Sequence, residues 1–282
     1  MKSRAFGPTG ATLPVIGQGT WDMPESGASW GEAQRALRRG IELGMTHIDT
    51  AEMYGSGRVE ELIGGALRGI PRDRYFIATK VLPTNATYRG TLAAAERSVA
   101  RLKCEYLDLF LLHWPGAHPL AETMRAFDDL VTRGTVRFVG VSNFEPDAML
   151  GAAAHLRAPL ACNQVLYHLN ERGIEHRLVP VARELGIAVV AYTPFGRGKF
   201  LRSGRAARDA LERIARKHAA TPHQVALAFL TREADVFAIP KAASVEHVEE
   251  NAAAAELALD AGEIAAIDAA YPRGKAGPLA ML

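Results

Sequence analysis

The regular alternation of short apolar runs and amphipathic segments constrains the fold of this chain more than any other feature. The runs are rich in Val, Ile, Leu and Phe, as expected for strands that are buried on both faces of a parallel sheet. They occupy residues 15–17, 46–48, 75–79, 107–112, 136–141, 161–163, 188–191 and 236–239.

The segments between these runs have helical periodicity. Residues 32–43 repeat apolar side chains at a spacing near 3.6 and are followed by Gly44, a residue typical of helix C-termini. Thr221, Pro222 and Gln224 form a capping box with proline at the first helical position, which predicts a helix through Leu230. Further helices are predicted at residues 87–102, 120–133, 146–156, 174–185, 245–255 and 262–270.

The spacing of the strands favours a closed barrel. Successive runs begin roughly 25 to 32 residues apart, with one wider gap before the last, as in a (β/α)₈ TIM barrel. We therefore predict a single domain, residues 1–282, with an N-terminal β-hairpin at residues 5–13 that covers the barrel bottom. The alternative is an open doubly wound sheet, but its glycine fingerprint, begun by Gly17 and Gly19, fails at Asp22.

Composition excludes several classes of partner. The chain has 33 Lys plus Arg against 31 Asp plus Glu, so it lacks the positive charge typical of nucleic-acid binding. No run approaches 18 apolar residues and no signal-type segment is visible, so no membrane association is predicted. Cys104 and Cys162 lack the paired spacing of a disulfide or metal site, which favours a reducing cytoplasm and no metal. Nothing in the sequence indicates an oligomeric state.

Each predicted strand is followed by side chains capable of chemistry, and in a TIM barrel these strand ends meet at one mouth. In chain order they are Trp21, Asp49, Lys80, His113, Ser142 with Asn143, Gln164, Tyr192 and Lys241. Any one of them has an ordinary structural explanation, such as a helix cap or a core aromatic. Their recurrence at consecutive strand ends favours a functional site, because folding alone requires only apolar layers inside the barrel.

Asp49, Lys80 and His113 follow three consecutive strands, and Tyr54 lies in the loop after Asp49. A phenol is a poor proton shuttle at neutral pH, but a nearby ammonium is expected to lower its pKa toward the working range. We expect Lys80 to act on Tyr54 in this way and Asp49 to neutralise Lys80. His113 is expected to hold a substrate oxygen or to share the proton with Tyr54.

These residues lie within motifs whose order and spacing resemble those of the aldo-keto reductases, which are NAD(P)H-dependent (β/α)₈ oxidoreductases. The motifs are Gly44–Ala51 with Tyr54, Thr79–Lys80, Leu107–Leu109 through His113, Gly140–Phe144, Asn163–Val165, Ala191–Pro194 and Ile239–Lys241. The resemblance implies that Asp49, Tyr54, Lys80 and His113 are the catalytic residues. It implies that Tyr54 is the general acid in the reduction of small aldehydes and ketones to alcohols.

The resemblance also implies a binding site for NADP(H), with NAD(H) as a second candidate. The implied cofactor contacts are Thr20, Trp21, Ser142, Asn143, Gln164, Tyr192, Phe195, Gly196, Arg197, Gly198, Lys241, Ser244, His247, Glu250 and Asn251. The loop at 195–199 would offer backbone N–H groups and cations to a pyrophosphate. Two departures from the family pattern, Ala242 and His247, weaken the expected preference for the 2′-phosphate, because histidine lacks the permanent charge of arginine.

Trp21, Tyr54, His113 and Trp114 are the expected substrate contacts, with Trp30 and Met23 as further apolar candidates. The loop after His113 and residues 271–282 are short, which predicts an open pocket and a small carbonyl substrate. The alternative function is a nicotinamide-cofactor-sensing binding module with little turnover. The intact set of catalytic candidates favours the enzyme.

Overall fold

The computed structural model describes residues 1–24 and 27–282. Its strands are β1 (Ser3–Ala5), β2 (Thr12–Pro14), β3 (Gln18–Gly19), β4 (His47–Asp49), β5 (Phe76–Val81), β6 (Leu107–Leu112), β7 (Val136–Ser142), β8 (Leu160–Leu166), β9 (Ala188–Tyr192) and β10 (Val236–Ile239). Its α-helices are α1 (Ala28–Glu42), α2 (Arg58–Ala66), α3 (Tyr88–Leu102), α4 (Leu120–Thr132), α5 (Pro146–His155), α6 (Leu178–Glu184), α7 (Arg205–Lys217), α8 (Pro222–Leu230), α9 (Val245–Ala253) and α10 (Ala261–Ala270). Within the described residues, no helix combines the length and apolar character needed to cross a bilayer.

Strands β3 to β10 form an eight-stranded parallel sheet in sequence order, with helices packed around it. The sheet closes into a barrel because two parallel bridges, Ile16 to Ala238 and Gly19 to Lys241, bring β3 beside β10. The barrel prediction is therefore confirmed. Because all eight strands run in one direction, their carboxyl ends meet at one mouth.

Local sequence signals explain where several helices begin. The Thr87 side chain accepts from Gly90 N and caps α3, while Thr221 and Gln224 form the predicted capping box of α8. The predicted helix at 174–185 is instead a 3₁₀ turn, Gly173–Glu175, followed by α6. Pro180 explains the break, because proline is accommodated only in the first turn of an α-helix.

Three further features differ from the sequence prediction. Helices α2 and α7 were not predicted, and α7 lies in the wider gap before the last strand. Strand β3 begins one residue after the predicted run at 15–17, whose Ile16 makes a single bridge to the last strand. The 245–255 helix ends as α9 at Ala253 and continues as a 3₁₀ turn, Ala254–Glu256.

The predicted hairpin is present and covers the barrel bottom. Strands β1 and β2 pair antiparallel, and Phe6 and Leu13 pack with the inward side chains of the barrel strands, including Phe76 and Phe237. Phe6 contacts Phe237 edge-on, with ring centroids 5.1 Å apart. The hairpin thus closes the end of the barrel opposite the strand carboxyl ends.

His47 lies in this aromatic cluster and is fully buried. Its ring contacts Phe6 and Phe76 edge-on at centroid distances of 6.0 and 5.4 Å, and among the described residues neither ring nitrogen has a hydrogen-bond partner. The pKa of His47 falls from 6.5 to about 4, mainly through burial; the Asp49 carboxylate partly opposes this shift and the Lys80 ammonium adds to it. The imidazole is therefore neutral in the folded protein at pH 7.

Acid should destabilise the protein through His47. Because the folded-state pKa is depressed, the unfolded chain takes up a proton first, and stability is lost as the pH falls below 6.5 toward about 4. Between pH 7.5 and 5 the loss from this group should be about 2 kcal/mol. Urea unfolding of wild type and His47→Leu at both pH values should show that the variant loses less stability. The exposed His155→Gln is the control, and a His47→Leu protein with the wild-type pH dependence would contradict the assignment.

Candidate active site

The carboxyl ends of the barrel strands surround one cavity of about 660 Å³. The four predicted catalytic residues all come to this end of the barrel, and Asp49, Tyr54 and His113 line the cavity directly. Lys80 lies behind them, fully buried. The predicted cofactor contacts that line the same cavity are Thr20, Trp21, Ser142, Asn143, Gln164, Tyr192, Phe195, Arg197, Gly198 and Lys241.

Lys80 and Asp49 form a buried ion pair, with Lys80 Nζ 2.7 Å from Asp49 Oδ2. The ammonium also donates to the Thr50 carbonyl at 2.7 Å and reaches Tyr54 Oη at 3.5 Å. Gln164 Nε2 donates to the other Asp49 oxygen at 2.7 Å. The buried carboxylate and ammonium are therefore both paired and hydrogen-bonded, as burial of charge requires.

The pKa of Tyr54 shifts in the direction opposite to the sequence expectation. Burial raises it above 10.0, and the nearby Lys80 ammonium opposes that effect without reversing it. The expectation was wrong because it weighed the ammonium but not the depth at which the phenol would be buried. Tyr54 consequently remains protonated at neutral pH and is suited to donate a proton.

His113 is also neutral. Burial, and then the positive charge of Lys80, lower the pKa of His113 to about 2. Its ring lies edge-on to the Tyr54 ring at 6.0 Å, and its Nδ1 is buried without a partner among the described residues. A neutral imidazole at this position is suited to hydrogen bonding with a carbonyl oxygen and not to supplying the charge of an imidazolium.

A network of amide and hydroxyl groups lines the cavity at the ends of β7 and β9. Asn143 Nδ2 donates to the His113 carbonyl and to Ser142 Oγ, both at 3.1 Å. Asn143 Oδ1 accepts from the Tyr192 hydroxyl at 2.9 Å. Asn143 thereby fixes the Tyr192 ring, whose pKa burial raises to about 12.

The loop after β9 presents the Arg197 side chain to the cavity, whereas the backbone donors predicted for a pyrophosphate are already bonded within the loop. Its Gly196 and Gly198 N–H groups donate to the carbonyls of Thr193 and Phe195, both at 2.8 Å, so they are occupied within the loop. The Arg197 guanidinium lies over the Trp21 ring at 5.1 Å and reaches the cavity as a side chain. Gly196 itself does not line the cavity.

Four of the predicted cofactor contacts, which the family resemblance places at the adenosine end of the cofactor, lie outside the cavity lining. Ser244 caps α9 by accepting from His247 N at 3.4 Å, and His247 is exposed. Glu250 has a structural partner, since its Oε1 accepts from Thr221 Oγ1 at 2.5 Å. Asn251 is buried on the same helix. Their roles toward adenosine stay predictions.

The apolar wall of the cavity is only partly as predicted. Trp21 and Trp114 line it, but Met23 is buried in the core, and Trp30 lies on α1 against the core. Met53, Met281 and Leu282 line it as well, although the sequence signal for the last two was absent. The segment after α10 was expected to leave the pocket open because it is short, yet its last two residues line the cavity, and its Leu279 N donates to Glu145, the residue before α5.

Comparisons with known proteins agree with this geometry. The model of the aldo/keto reductase family matches residues 15–272. The chain is 42% identical over 266 residues to methylglyoxal reductase YeaE of Escherichia coli, covering 94% of this chain and 93% of that protein. It is 32% identical over 271 residues to glyoxal reductase of Bacillus subtilis, covering 95% and 93%.

A solved aldo/keto reductase from Klebsiella pneumoniae, in complex with NADP and acetate, superposes with a TM-score of 0.93. It is 41% identical, and the match covers 100% of both chains. These matches identify an oxidoreductase of the NAD(P)H-dependent carbonyl-reducing class. The chain belongs to the aldo/keto reductase family.

The Lys80–Asp49 pair should show strong coupling in unfolding experiments. Lys80→Met should cost about 3–5 kcal/mol, because it leaves a buried carboxylate without its counter-ion. Adding Asp49→Asn should cost much less than the sum of the two single changes, with a coupling energy above about 1 kcal/mol. The exposed pair Arg177 and Asp147 is the control, with an expected coupling of about 0–1 kcal/mol. Additive single effects at Lys80 and Asp49 would contradict this description.

Proposed function

We propose that the protein reduces small aldehydes and ketones to alcohols with NADPH, and that Tyr54 is the general acid. The observation that carries the proposal is a protonated, half-buried phenol at the cavity wall, 3.5 Å from an ammonium that is itself held by a carboxylate. The names of the methylglyoxal and glyoxal reductases among its relatives support a small carbonyl substrate.

The residues present fit a nicotinamide cofactor. The Ser142 hydroxyl accepts from Asn143 and retains its own hydrogen to donate, while Gln164 uses its amide N–H on Asp49 and retains an accepting oxygen. A carboxamide needs this combination of one donor and one acceptor. Tyr192 offers a flat ring of fixed orientation, and Lys241 and Arg197 line the cavity as cations for phosphates.

The proposed chemistry assigns a separate task to each residue. The bound cofactor supplies the hydride that reduces the carbonyl carbon. His113 donates a hydrogen bond to the carbonyl oxygen, and Tyr54 Oη transfers its proton to that oxygen. The phenolate that remains is stabilised by the Lys80 ammonium, and Asp49 holds the ammonium at that position.

The wall next to Tyr54 favours small, uncharged carbonyl compounds. Trp21 stacks beside Tyr54 at 6.1 Å, and Met53, Trp114 and Met281 complete an apolar surface. The Arg197 guanidinium, which we assign to the cofactor phosphates, lies over the Trp21 ring at 5.1 Å. The surface next to Tyr54 is otherwise apolar, which suits a small, uncharged substrate.

Replacing the acid should remove chemistry and spare cofactor binding. Tyr54→Phe should lower kcat at least about 10²-fold while the Kd for NADPH, measured by fluorescence, stays within about twofold. Tyr88→Phe removes a phenol hydroxyl that donates to Asp129 outside the cavity, and it is the matched control. NADPH oxidation with a panel of small aldehydes is the assay. Retained turnover in Tyr54→Phe would move the acid role elsewhere, and NADPH binding without turnover in wild type would favour the sensing module.

The proposed preference for NADPH depends on Lys241. A charge-assisted hydrogen bond to a 2′-phosphate contributes roughly 1.5–3 kcal/mol, which corresponds to tenfold or more in affinity. His247, at the third position of α9, lacks the permanent charge and the two parallel donors that an arginine would offer to the same phosphate.

The ratio of kcat/KM for NADPH to that for NADH tests this assignment. His247→Arg should raise this ratio, because arginine carries a permanent charge and a pair of donors that suit a phosphate. Lys241→Ala should lower it by about tenfold or more. Lys2→Ala, at the opposite end of the barrel, should leave it unchanged. A ratio that does not respond to Lys241→Ala would show that 2′-phosphate recognition lies elsewhere.

A further inference from the structure

Two buried carboxylates flank Tyr54 in the chain, and the proposed chemistry uses neither of them. Glu52 lies in the loop between β4 and Tyr54, and Glu60 lies in the first turn of α2. Glu52 is 8% exposed and Glu60 is fully buried. Burial of two further carboxylates this close to the Lys80–Asp49 pair is costly, so their contacts require an explanation.

Glu52 ties the segment before Tyr54 to the chain after Lys80. Its Oε1 accepts from Leu82 N at 2.7 Å and from Asn85 Nδ2 at 2.9 Å. The backbone N–H of Glu52 also donates to the Lys80 carbonyl at 3.2 Å. These three bonds connect the β4 loop to the end of β5 and the turn that follows it.

Glu60 makes the corresponding connection on the other side. Its Oε1 accepts from Thr79 Oγ1 at 2.7 Å, and Thr79 directly precedes Lys80. The two glutamates therefore bracket Tyr54 along the chain, and their partners Thr79 and Leu82 bracket Lys80. Each glutamate joins a segment that carries the phenol to the strand that carries the ammonium.

Both carboxylates are neutralised by arginines on one face of α3. Arg97 donates to Glu52 Oε2 at 3.2 Å, and Arg101 donates to Glu60 Oε2 at 2.6 Å. The spacing of four residues places both guanidinium groups on the same side of the helix. Arg101 also packs on Gly57, which ends the turn that carries Tyr54; a Cβ there would lie 2.7 Å from Arg101 Cδ.

We infer that Glu52 and Glu60, held by Arg97 and Arg101, are positioning residues that set the separation between Tyr54 Oη and Lys80 Nζ. The inference rests on the proposed function, since it assigns these residues to the same proton donor. A carboxylate is suited to this task because it accepts several hydrogen bonds at once and so joins three segments at a single point. A short, fixed separation matters because the ammonium stabilises the phenolate only at close range.

The Tyr54 resonance of the cofactor-free protein tests the separation without requiring activity. In protein labelled with [¹³Cζ]tyrosine, the Tyr54 signal is identified by its loss in Tyr54→Phe, and Lys80→Met defines the shift caused by losing the ammonium. Glu52→Ala and Glu60→Ala should each move the signal in the Lys80→Met direction. Glu61→Ala is the matched control. Glu61 follows Glu60 on α2, but it is exposed and its contact with Arg58 is long, at 4.0 Å.

The second readout is steady-state reduction of an aldehyde. Glu52→Ala and Glu60→Ala should lower kcat about tenfold to hundredfold, with the KM values for NADPH and aldehyde within about twofold. Glu52→Gln and Glu60→Gln keep an accepting oxygen for Leu82 N and Thr79 Oγ1, so both should recover most of the lost kcat. They also keep the test available if an alanine variant does not fold.

The outcomes separate this inference from the proposed function. A Tyr54 signal that stays at its wild-type position in folded Glu52 and Glu60 variants, with kcat unchanged, would overturn the positioning role even if the melting temperature falls. A signal that moves as in Lys80→Met supports the role, including in a protein that reduces no aldehyde. In that case the proposed function fails and the geometric inference stands.

Discussion

Closure of the barrel between β3 and β10 is the constraint on which the site depends. Gly19 N donates to the Pro240 carbonyl at 3.0 Å, and Gly17 N and Ala238 N bond across the same seam. The strands approach so closely that a Cβ on Gly19 would lie 2.4 Å from the Ile239 carbonyl oxygen. Glycine is therefore needed for packing at a position that resembles part of a nucleotide fingerprint. Without this seam, Trp21 and Lys241 would lie at opposite edges of an open sheet.

Closure also fixes the electrostatics at the mouth. Asp49, Lys80 and Gln164 come from three strands, and their hydrogen bonds place one net-neutral pair at the centre of the barrel end. Burial lowers the pKa values of His47 and His113, on opposite ends of the barrel, and the same ammonium adds to the effect on both. The site thus combines one buried ion pair with neutral proton-carrying groups, which limits the total cost of burying charge.

Residues that end buried strands could be predicted from the sequence, because in a parallel barrel a polar side chain directly after an apolar run lies at the shared carboxyl end of the strands. Asp49, Lys80, His113 and Gln164 were found in this way, and the fold follows from the spacing of the same runs. Met53, Met281 and Leu282 could not be found, because tertiary packing alone brings the loop after β4 and the segment after α10 to the mouth. Glu52 and Glu60 were missed because a glutamate in a loop or a first helical turn is ordinarily solvated.

The direction of the Tyr54 pKa shift also shows that the charged neighbours of a group do not determine its pKa unless its burial is known. A phenol brought to a pKa near 7 by its ammonium would be half ionised before substrate arrived, and half of the molecules would lack the proton needed for reduction. Burial instead keeps Tyr54 protonated at rest, because it penalises the phenolate. Under the proposed function, Lys80 contributes mainly after the proton has begun to move, when negative charge appears on Tyr54 Oη. The Lys80 ammonium then stabilises the transition state and not the resting enzyme, which is the condition for raising kcat.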